Sequence, residues 1–596
     1  MGGDQREENP TGWSSYIEGM DSRSAAHVLS QIGALLEAKG EQRFKARAYR
    51  GAARALIALD TDDLGPLVRS GELADTPGIG PATLSVVRDL VETGESSYLN
   101  QLSEGMPEGM LDLMEVPGLN AVKIQLIHET LGVQNLEDLE RVAQNGQLAE
   151  LPKFGKKTAD KILRGIEIVR RDAHLQRFPA AIVEAHMLLA NVARHPDVSH
   201  AEVAGSIRRH NELVADIDIV AECSVDPAKV AASFARSPGV REAKQKADAG
   251  SVHIRFVDGT HLDMHCVNKT DYPVALWRAT GSNAHVEEMN VLAQTRGFEI
   301  RGNSLIAKNG KPVRLEDEES LFRMLDLQVI PPEMREGMGE IEAAARRELP
   351  HLLTYEDVRG VLHCHSEYSD GVASIGEMAR AAKERGWDYI GISDHSESAF
   401  YARGLKRDKV LQQHEEIDEL NARLKGFRVL KGIEADILAD GRVDYDAEFL
   451  DKFDYVVGSI HSRFSMDNDT MTKRVLAALE DPHLTILAHP TGRLLLSREP
   501  YAIDIEAVLE KAVTVGVAVE LNCDPHRLDL DWRYCRQARE LGVTIEIGPD
   551  AHSTPGLDNV HFGVGLARKA WLEAKDILNT RSADEVIAFA RKRRGP

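Results

Sequence analysis

The sequence predicts a multidomain chain that begins with helical hairpins, continues through a mixed strand-and-helix region, and ends in a β/α barrel of about seven strands. Three observations carry this. Short Pro-Gly turns recur between helical stretches in the first 160 or so residues. An Asp-x-Asp pair follows a Gly-Ser turn on an apolar strand near residue 217. In the last third, one apolar run after another ends in a side chain that can bind metal.

At 596 residues, several domains are expected. Residues 1–21 are polar and acidic, with no apolar core for a signal peptide, and read as a loose tail. Ala25–Leu59 reads as helix and carries Arg43, Lys45, Arg47, Arg50 and Arg54. Three turns follow, each between helices: Asp75-Thr-Pro77-Gly78-Ile79-Gly80, Val116-Pro117-Gly118-Leu119-Asn120, and Leu151-Pro152-Lys153-Phe154-Gly155-Lys156-Lys157. One such turn is common, but three at a regular spacing describe a repeated helix-hairpin-helix element. A glycine-rich turn before a helix lets backbone N–H groups approach a phosphate closely. DNA backbone contact, which needs no base reading, uses that device. Gly78, Gly80, Gly118, Gly155 and Lys156 are the expected DNA-binding residues.

The middle region carries Val203-Ala204-Gly205-Ser206-Ile207-Arg208-Arg209, then Glu212, then Asp216-Ile217-Asp218-Ile219-Val220. Strand period two puts Asp216 and Asp218 on one face. Alone, Asp-x-Asp is common on edge strands. Beside a Gly-Ser turn and paired arginines, it can hold magnesium and a triphosphate together. Asp263, on a later apolar strand, is the candidate third carboxylate of a two-metal site.

In the last third, apolar runs lead into His363-Cys364-His365, Asp394-His395, Glu434, His461, His489, Glu520 with Asn522, and Asp550 with His552. Such runs read as buried parallel strands with helices between them. In that architecture the strands' carboxyl ends converge on one mouth. The convergent set is His363, His365, Asp370, His395, Glu434, His461, His489, Asp550 and His552. A lone histidine is usually a core or surface residue, but six imidazoles and three carboxylates exceed the needs of one ion. Imidazole with carboxylate suits zinc, manganese or iron. Two or three neighbouring ions suit phosphoester hydrolysis.

Composition sets the remaining bounds. Hydrophobic residues make up 43% with no long apolar run, which argues against a membrane partner. Five scattered cysteines without Cys-x-x-Cys spacing fit a reducing cytoplasm. The formal charge of −23 argues against nucleic acid when taken alone, although a metal-rich barrel needs carboxylates that its ions offset.

Two resemblances follow. His363-Cys-His365, Ser369-Asp370-Gly371, Ser393-Asp394-His395, Gly458-Ser459-Ile460-His461, Ala488-His489-Pro490 and Asp550-Ala551-His552 resemble the motifs of the polymerase-and-histidinol-phosphatase (PHP) family, and all nine ligand positions are filled. That resemblance implies a trinuclear centre, manganese or zinc, in a seven-stranded barrel that hydrolyses phosphoesters. From Ala25 to Leu327 the chain resembles family X DNA polymerases, through Gly205-Ser206, Arg208-Arg209, Glu212, Asp216 and Asp218 in the palm and Thr280-Gly281-Ser282 in the thumb. Counting back from that thumb motif places Asp263.

The implied organisation is a tail (1–21), a lyase-type helical domain (22–98), fingers (99–175), an α+β nucleotidyltransferase palm (176–272) and thumb (273–330), a linker (331–357) and the PHP barrel (358–596). The implied site uses Asp216, Asp218 and Asp263 with Mg2+. Gly205, Ser206, Arg209, Gly281 and Ser282 would meet the dNTP. A monomer filling short gaps in DNA, with 3′–5′ exonuclease and, in some members, abasic-site or 3′-end cleavage, is what the resemblance implies.

The sequence also departs from the family. Arg278 and Ala279 replace a Tyr-Phe pair before Thr280, Val286 replaces an Asn, and His265 replaces an Arg beside Asp263. Asn120 replaces a turn glycine, and Val86 lies near where eukaryotic relatives carry a Schiff-base lysine. Relaxed sugar discrimination is therefore expected. One rival reading keeps only the PHP chemistry, with the polymerase part as a DNA-binding module. A remoter rival is a small-phosphoester phosphatase.

Overall fold

The computed structural model describes residues 20, 22–38, 43–59, 64–76, 78–103, 113, 114, 116, 119, 121–152, 154–172, 175–256 and 259–594. Contacts divide the chain into two compact units, residues 1–174 and 175–596.

The first unit is helical. Helices Ser22–Ala38 and Arg43–Leu59 close one core around Leu29, Ile32, Leu36, Leu56 and Val87. A second core gathers Ile124, Ile127, Leu139, Phe154 and Ile162. The three repeated turns share one backbone bond. Ile79 N donates to Thr76 O, Leu119 N to Val116 O and Phe154 N to Leu151 O, each at 3.0 Å. All three bonds span a four-residue turn with Pro at its second position in the sequence, the favoured place for a fixed φ. In the first and third turns the residue that donates is buried, so the turn is anchored in the core while a helix starts just beyond it.

The second unit opens with a mixed palm. β1 (Gln176–Arg177) pairs with β3 (Leu213–Val214). β2 (Val198–Val203), β4 (Ile217–Cys223), β5 (Val240–Gln245), β6 (Ser251–Phe256) and β7 (His261–Asn268) form a sheet in the order β2-β4-β7-β6-β5. β4 and β7 run parallel with Asp218 opposite Asp263, so their side chains share a face.

The thumb follows, with helices Tyr272–Thr280 and Asn283–Thr295 and the hairpin β8 (Phe298–Arg301) with β9 (Ser304–Ala307). Its core holds Trp277, Leu321 and Phe322. The segment expected as a linker packs into that same core through Ile341, Ala343 and Ala344, and Trp571 joins them from beyond the last barrel strand.

The barrel strands are β10 (Gly360–Val361), β11 (Tyr389–Ile392), β12 (Arg428–Lys431), β13 (Glu434–Asp436), β14 (Val456–Ser459), β15 (Leu484–Leu487), β16 (Ala518–Asn522) and β17 (Ile545–Gly548). They form two parallel sheets, β10-β11-β12 and β13-β14-β15-β16-β17. β12 and β13 are halves of one path, interrupted at Gly432-Ile433. Isolated parallel bridges His395↔Glu434 and Cys364↔Ala551 link the two sheets. Strands β11 and β14 to β17 are buried at every position, which is why they read as unbroken apolar runs. Part of the acidic surplus serves the helices. Asp446, Asp467, Asp504 and Asp531 accept bonds from the first-turn amides of the helices that follow them.

Candidate active sites

All nine strand-end ligands meet at one mouth. His365, Asp370, His395 and His552 present ligand atoms within 4.8 Å of one another, as do His363, His365 and Asp550, and His395, Glu434 and His461. His489 joins through Nε2, 3.1 Å from Glu434 Oε1. Glu434 is the hub, because it faces five imidazoles: His363, His365, His395, His461 and His489. His489 and Asp550 are held at φ 27° and 49°, a costly conformation for non-glycine residues that collects at functional sites.

Whether this set fits metal can be judged from its unbonded atoms. His363 Nε2, both ring nitrogens of His365, His489 Nδ1 and Glu434 Oε2 are buried and make no hydrogen bond. His395 Nδ1 and Glu434 Oε2 lie 2.8 Å apart without the alignment of a hydrogen bond. Buried polar atoms are almost always paired, so a cluster of orphans aimed at one centre calls for a cation. The charges agree. Burial opposes ionisation of Glu434 and Asp550, yet the surrounding imidazoles hold both well below the ordinary carboxylate range. His365 is pushed down by burial and by His552 and His395, and His489 is pushed down to about 3 by burial and Arg527. Neutral imidazole and ionised carboxylate are the forms that ligate metal; His365 and His489 already favour that form, whereas His363, His395 and His461 are raised against burial by Glu434 and neighbouring carboxylates and would yield their protons to a bound ion. These residues fit two or three divalent ions.

A second layer of polar residues orients this set; the sequence reading named Asp394, Glu520 and Asn522 at strand ends without counting them as ligands, and did not single out Asp436, Ser366 or Gln413. His363 Nδ1 lies 2.5 Å from Glu520 Oε1, and His461 Nδ1 2.8 Å from Asp436 Oδ1. Each carboxylate fixes the tautomer that turns the other nitrogen inward. Asn522 Nδ2 donates to Asp550 Oδ2 at 3.0 Å. Asp394 accepts from Ser366 N at 2.8 Å and Gln413 Nε2 at 2.5 Å, which ties the loop carrying His365 and Asp370. Its signal was the Ser-Asp-His triplet, where only the histidine was taken as a ligand.

In the palm, Gly205 has φ +64°, and a Cβ there would lie 1.9 Å from Asp218 Oδ2. The turn therefore presses its backbone against the carboxylate, which only glycine allows. Asp216 is pushed above the ordinary carboxylate range by burial, Asp218 and Asp263, a demand that a cation between them would meet. Asp263 differs, because its oxygens are taken by Lys246 Nζ at 2.5 Å and His253 Nδ1 at 2.7 Å. His265 Nε2 lies 3.5 Å from Asp218 Oδ1. The set fits a divalent ion at Asp216 and Asp218, with Asp263 already partly neutralised.

The residues expected at the nucleotide take varied positions. Ser206 Oγ is buried and unbonded. Arg209 donates to Glu336 Oε1 at 2.9 Å and to Thr280 O at 2.7 Å, so its guanidinium braces the Thr-Gly-Ser turn. Arg208 binds both Glu318 oxygens at 2.9 Å. Ser282 caps helix Asn283–Thr295, and Gly281 is extended against His285. Ala279 packs with Ala204, Val220 and Tyr272, while Arg278 Nε is buried and unbonded.

In the helical unit, Gly78 sits at φ +96°. Gly80 starts helix Pro81–Thr93, and its N–H goes to Thr83 Oγ1 at 2.9 Å. Gly155 and Lys156 are exposed where helix Lys156–Asp172 begins. Gly118 lies outside the described residues. Among the described residues no helix is long and apolar enough to cross a membrane.

Comparison with known proteins agrees with this anatomy. Family models match as a helix-hairpin-helix domain over residues 20–96, a SAM-like helix-hairpin-helix tandem over 110–167, the DNA polymerase beta thumb over 275–336 and the PHP domain over 362–524. A Bacillus subtilis protein named DNA polymerase/3′-5′ exonuclease PolX is 36% identical over 96% of this chain and all of its own length. A probable phosphatase of Caldanaerobacter subterraneus is 28% identical over 39% of this chain and 91% of its own. One of Syntrophotalea carbinolica is 30% identical over 38% of this chain and 94% of its own. The match to the Bacillus protein spans nearly the whole chain, and the chain belongs to the bacterial-type family X DNA polymerases that carry a C-terminal PHP domain.

Proposed function

We propose that this chain is a DNA repair enzyme with two active sites, a gap-filling polymerase in the palm and a 3′–5′ exonuclease in the barrel. The observation that carries the reading is the nine-ligand mouth with its unbonded buried nitrogens, on a chain whose sequence kinship to a polymerase/exonuclease extends over 96% of its length.

In the barrel, His363, His365, Asp370, His395, Glu434, His461, His489, Asp550 and His552 would hold manganese or zinc. Bound there, such ions activate water and neutralise the phosphate and leaving oxygen. The chain's own part is orientation. Glu520 and Asp436 set the tautomers of His363 and His461, and Asn522 fixes the Asp550 carboxylate. In the palm, Asp216, Asp218 and Asp263 would hold magnesium, which at such a site lowers the pKa of a primer 3′-OH and offsets triphosphate charge. Ser206 with the Gly205 and Gly281–Ser282 turns would seat the dNTP, and Arg209 would hold those turns together. The helix-hairpin-helix turns, with Gly78, Gly80, Gly118, Gly155 and Lys156, would grip the DNA backbone. The chain would act as a monomer in the cytoplasm; its five cysteines are buried and free, which supports a reducing compartment.

One observation favours the second reading, in which the palm mainly delivers DNA: Lys246 and His253 occupy Asp263. A labelled primer on gapped DNA, with dNTPs and magnesium or manganese, separates the two. Asp216→Ala with Asp218→Ala should abolish extension and leave degradation. Glu434→Gln should do the reverse. Degradation without any extension by the unmutated protein would replace the first reading with the second.

A further inference from the structure

The loop after His395 presents two aromatic rings that neither reading uses. Phe400 is 85% exposed, the most exposed large hydrophobic side chain among the described residues, and Tyr401 is 55% exposed. Their rings meet edge to face at 6.3 Å. The Tyr401 ring lies 6.2 Å from that of His395 and 5.8 Å from that of His461, so it stands at the rim of the metal ligands with Phe400 beside it.

The loop is built to hold this pose. Ala402 N and Gly404 N both donate to Ala399 O at 3.0 Å, and Leu405 N donates to His395 O at 2.8 Å. Ser398 N is anchored to Asp444 Oδ2 at 2.9 Å. Ala399 and Ala402 are buried and pin the base of the turn while the rings between them face water. Two exposed arginines stand on the loops of neighbouring ligands: Arg403 in this loop and Arg463 two residues after His461, both at positive φ. Neither makes an ion pair within the described residues. Single exposed hydrophobic residues need no explanation. A contacting aromatic pair at the edge of a phosphoesterase centre, flanked by unpaired cations, has the make-up of a single-strand nucleic-acid site, where rings stack bases and arginines attract phosphates.

We propose that Phe400 and Tyr401 form a base-stacking platform that seats the unpaired terminal bases of a DNA strand beside the barrel's metal centre. The proposal rests on the nuclease reading of that centre. It makes the platform a selector for frayed or single-stranded ends over fully paired ones.

The test compares two 5′-labelled single-stranded oligonucleotides with manganese present. One is ordinary, and the other has abasic tetrahydrofuran residues at its last three positions. Phe400→Ala with Tyr401→Ala should raise KM for the ordinary strand by about ten-fold, the size of one lost base–aromatic stack. The abasic strand should change by less than two-fold, because it has no base to stack. Phe400→Trp with Tyr401 kept should hold KM for the ordinary strand at or below its original value. An equal loss on both strands would mean that the rings only support the fold of the mouth. No loss on either would overturn the platform outright. If the unmutated protein cleaves neither strand yet releases phosphate from a small phosphomonoester, the nuclease reading falls and takes the platform with it.

Discussion

Lys569 offers a sharp test of how the palm is fixed to the barrel. It is 1% exposed, and its Nζ donates to Arg209 O at 3.1 Å and Asn211 Oδ1 at 2.8 Å while also meeting Glu336. Glu336 is shared, since Arg209 Nε binds it at 2.9 Å. The cluster therefore holds two cations and one anion. Burial pulls the Lys569 pKa below its ordinary value, with Glu336 opposing, so the ammonium is held at a cost. Lys569→Met removes that cost and leaves a balanced Arg209–Glu336 pair. The loss is then about two neutral-acceptor hydrogen bonds, offset in part by a buried thioether, or ~1–2 kcal/mol. Glu336→Gln leaves Lys569 and Arg209 without the anion they share, with only the charge of Glu212 still favouring Lys569, and should cost ~3–5 kcal/mol. The double variant should cost less than the sum, because each change relieves part of the imbalance left by the other. Urea unfolding followed by fluorescence is suited to this, since Trp532 lies 4.7 Å from Lys569 Nζ. If Lys569→Met cost as much as Glu336→Gln, or if both fell within ~0.5 kcal/mol of the unmutated protein, the charge accounting here would be refuted.

Four further outcomes are expected. Glu520→Gln should weaken manganese or zinc binding by ~10–100-fold, read by metal analysis after dialysis, because it frees the His363 tautomer. Gly205→Ala should cut primer extension at least a hundred-fold with degradation retained, because the new methyl lands 1.9 Å from Asp218 Oδ2. His414 is buried against Phe453, and its pKa is pushed down to about 4 by burial, with Lys431 adding to the shift. Its neutral form is the one the fold accepts, so its contribution is full above about pH 6.5 and is lost as pH falls toward 4, up to ~3 kcal/mol; His414→Leu should flatten that part of the stability curve. With Arg278 and Ala279 before the Thr-Gly-Ser turn, discrimination between dNTP and rNTP should be weaker by ~1–3 kcal/mol than an aromatic wall would give, and strong dNTP selectivity on a gapped primer would count against it.

How much of this was legible in the sequence depends on how far apart the interacting residues lie. The barrel ligands were readable because each ends its own apolar run, so local pattern and architecture together bring them to one mouth. Asp263 was readable as a candidate partner of Asp218 from its apolar strand and was placed more firmly by family spacing, and the β4–β7 register supplies the physical reason. The Gly-Ser-x-Arg-Arg…Glu stretch was read as one palm motif, with Gly205, Ser206 and Arg209 at the nucleotide, yet the structure divides it. Gly205 presses on Asp218, whereas Arg209, His210 and Glu212 turn toward the thumb and barrel. His210 stacks on Phe178 at 5.0 Å and packs onto Gly565, and Glu212 lies 3.3 Å from Arg493 Nη2. Arg493 also binds Asp531 at 3.0 Å and the Leu528 carbonyl, next to Asp529, whose backbone exchanges hydrogen bonds with Asn522. Asn522 in turn holds Asp550. A continuous polar path thus runs from the palm turn to a barrel ligand. No local pattern could reveal it, because a charged residue reads the same whether it meets a phosphate or a carboxylate 281 residues away. The signal lies in what remains unpaired. Once Arg208, Arg209 and Glu212 are matched to protein partners, Ser206 alone of that turn keeps a buried, unbonded side-chain atom, and it becomes the residue with most to offer an incoming triphosphate.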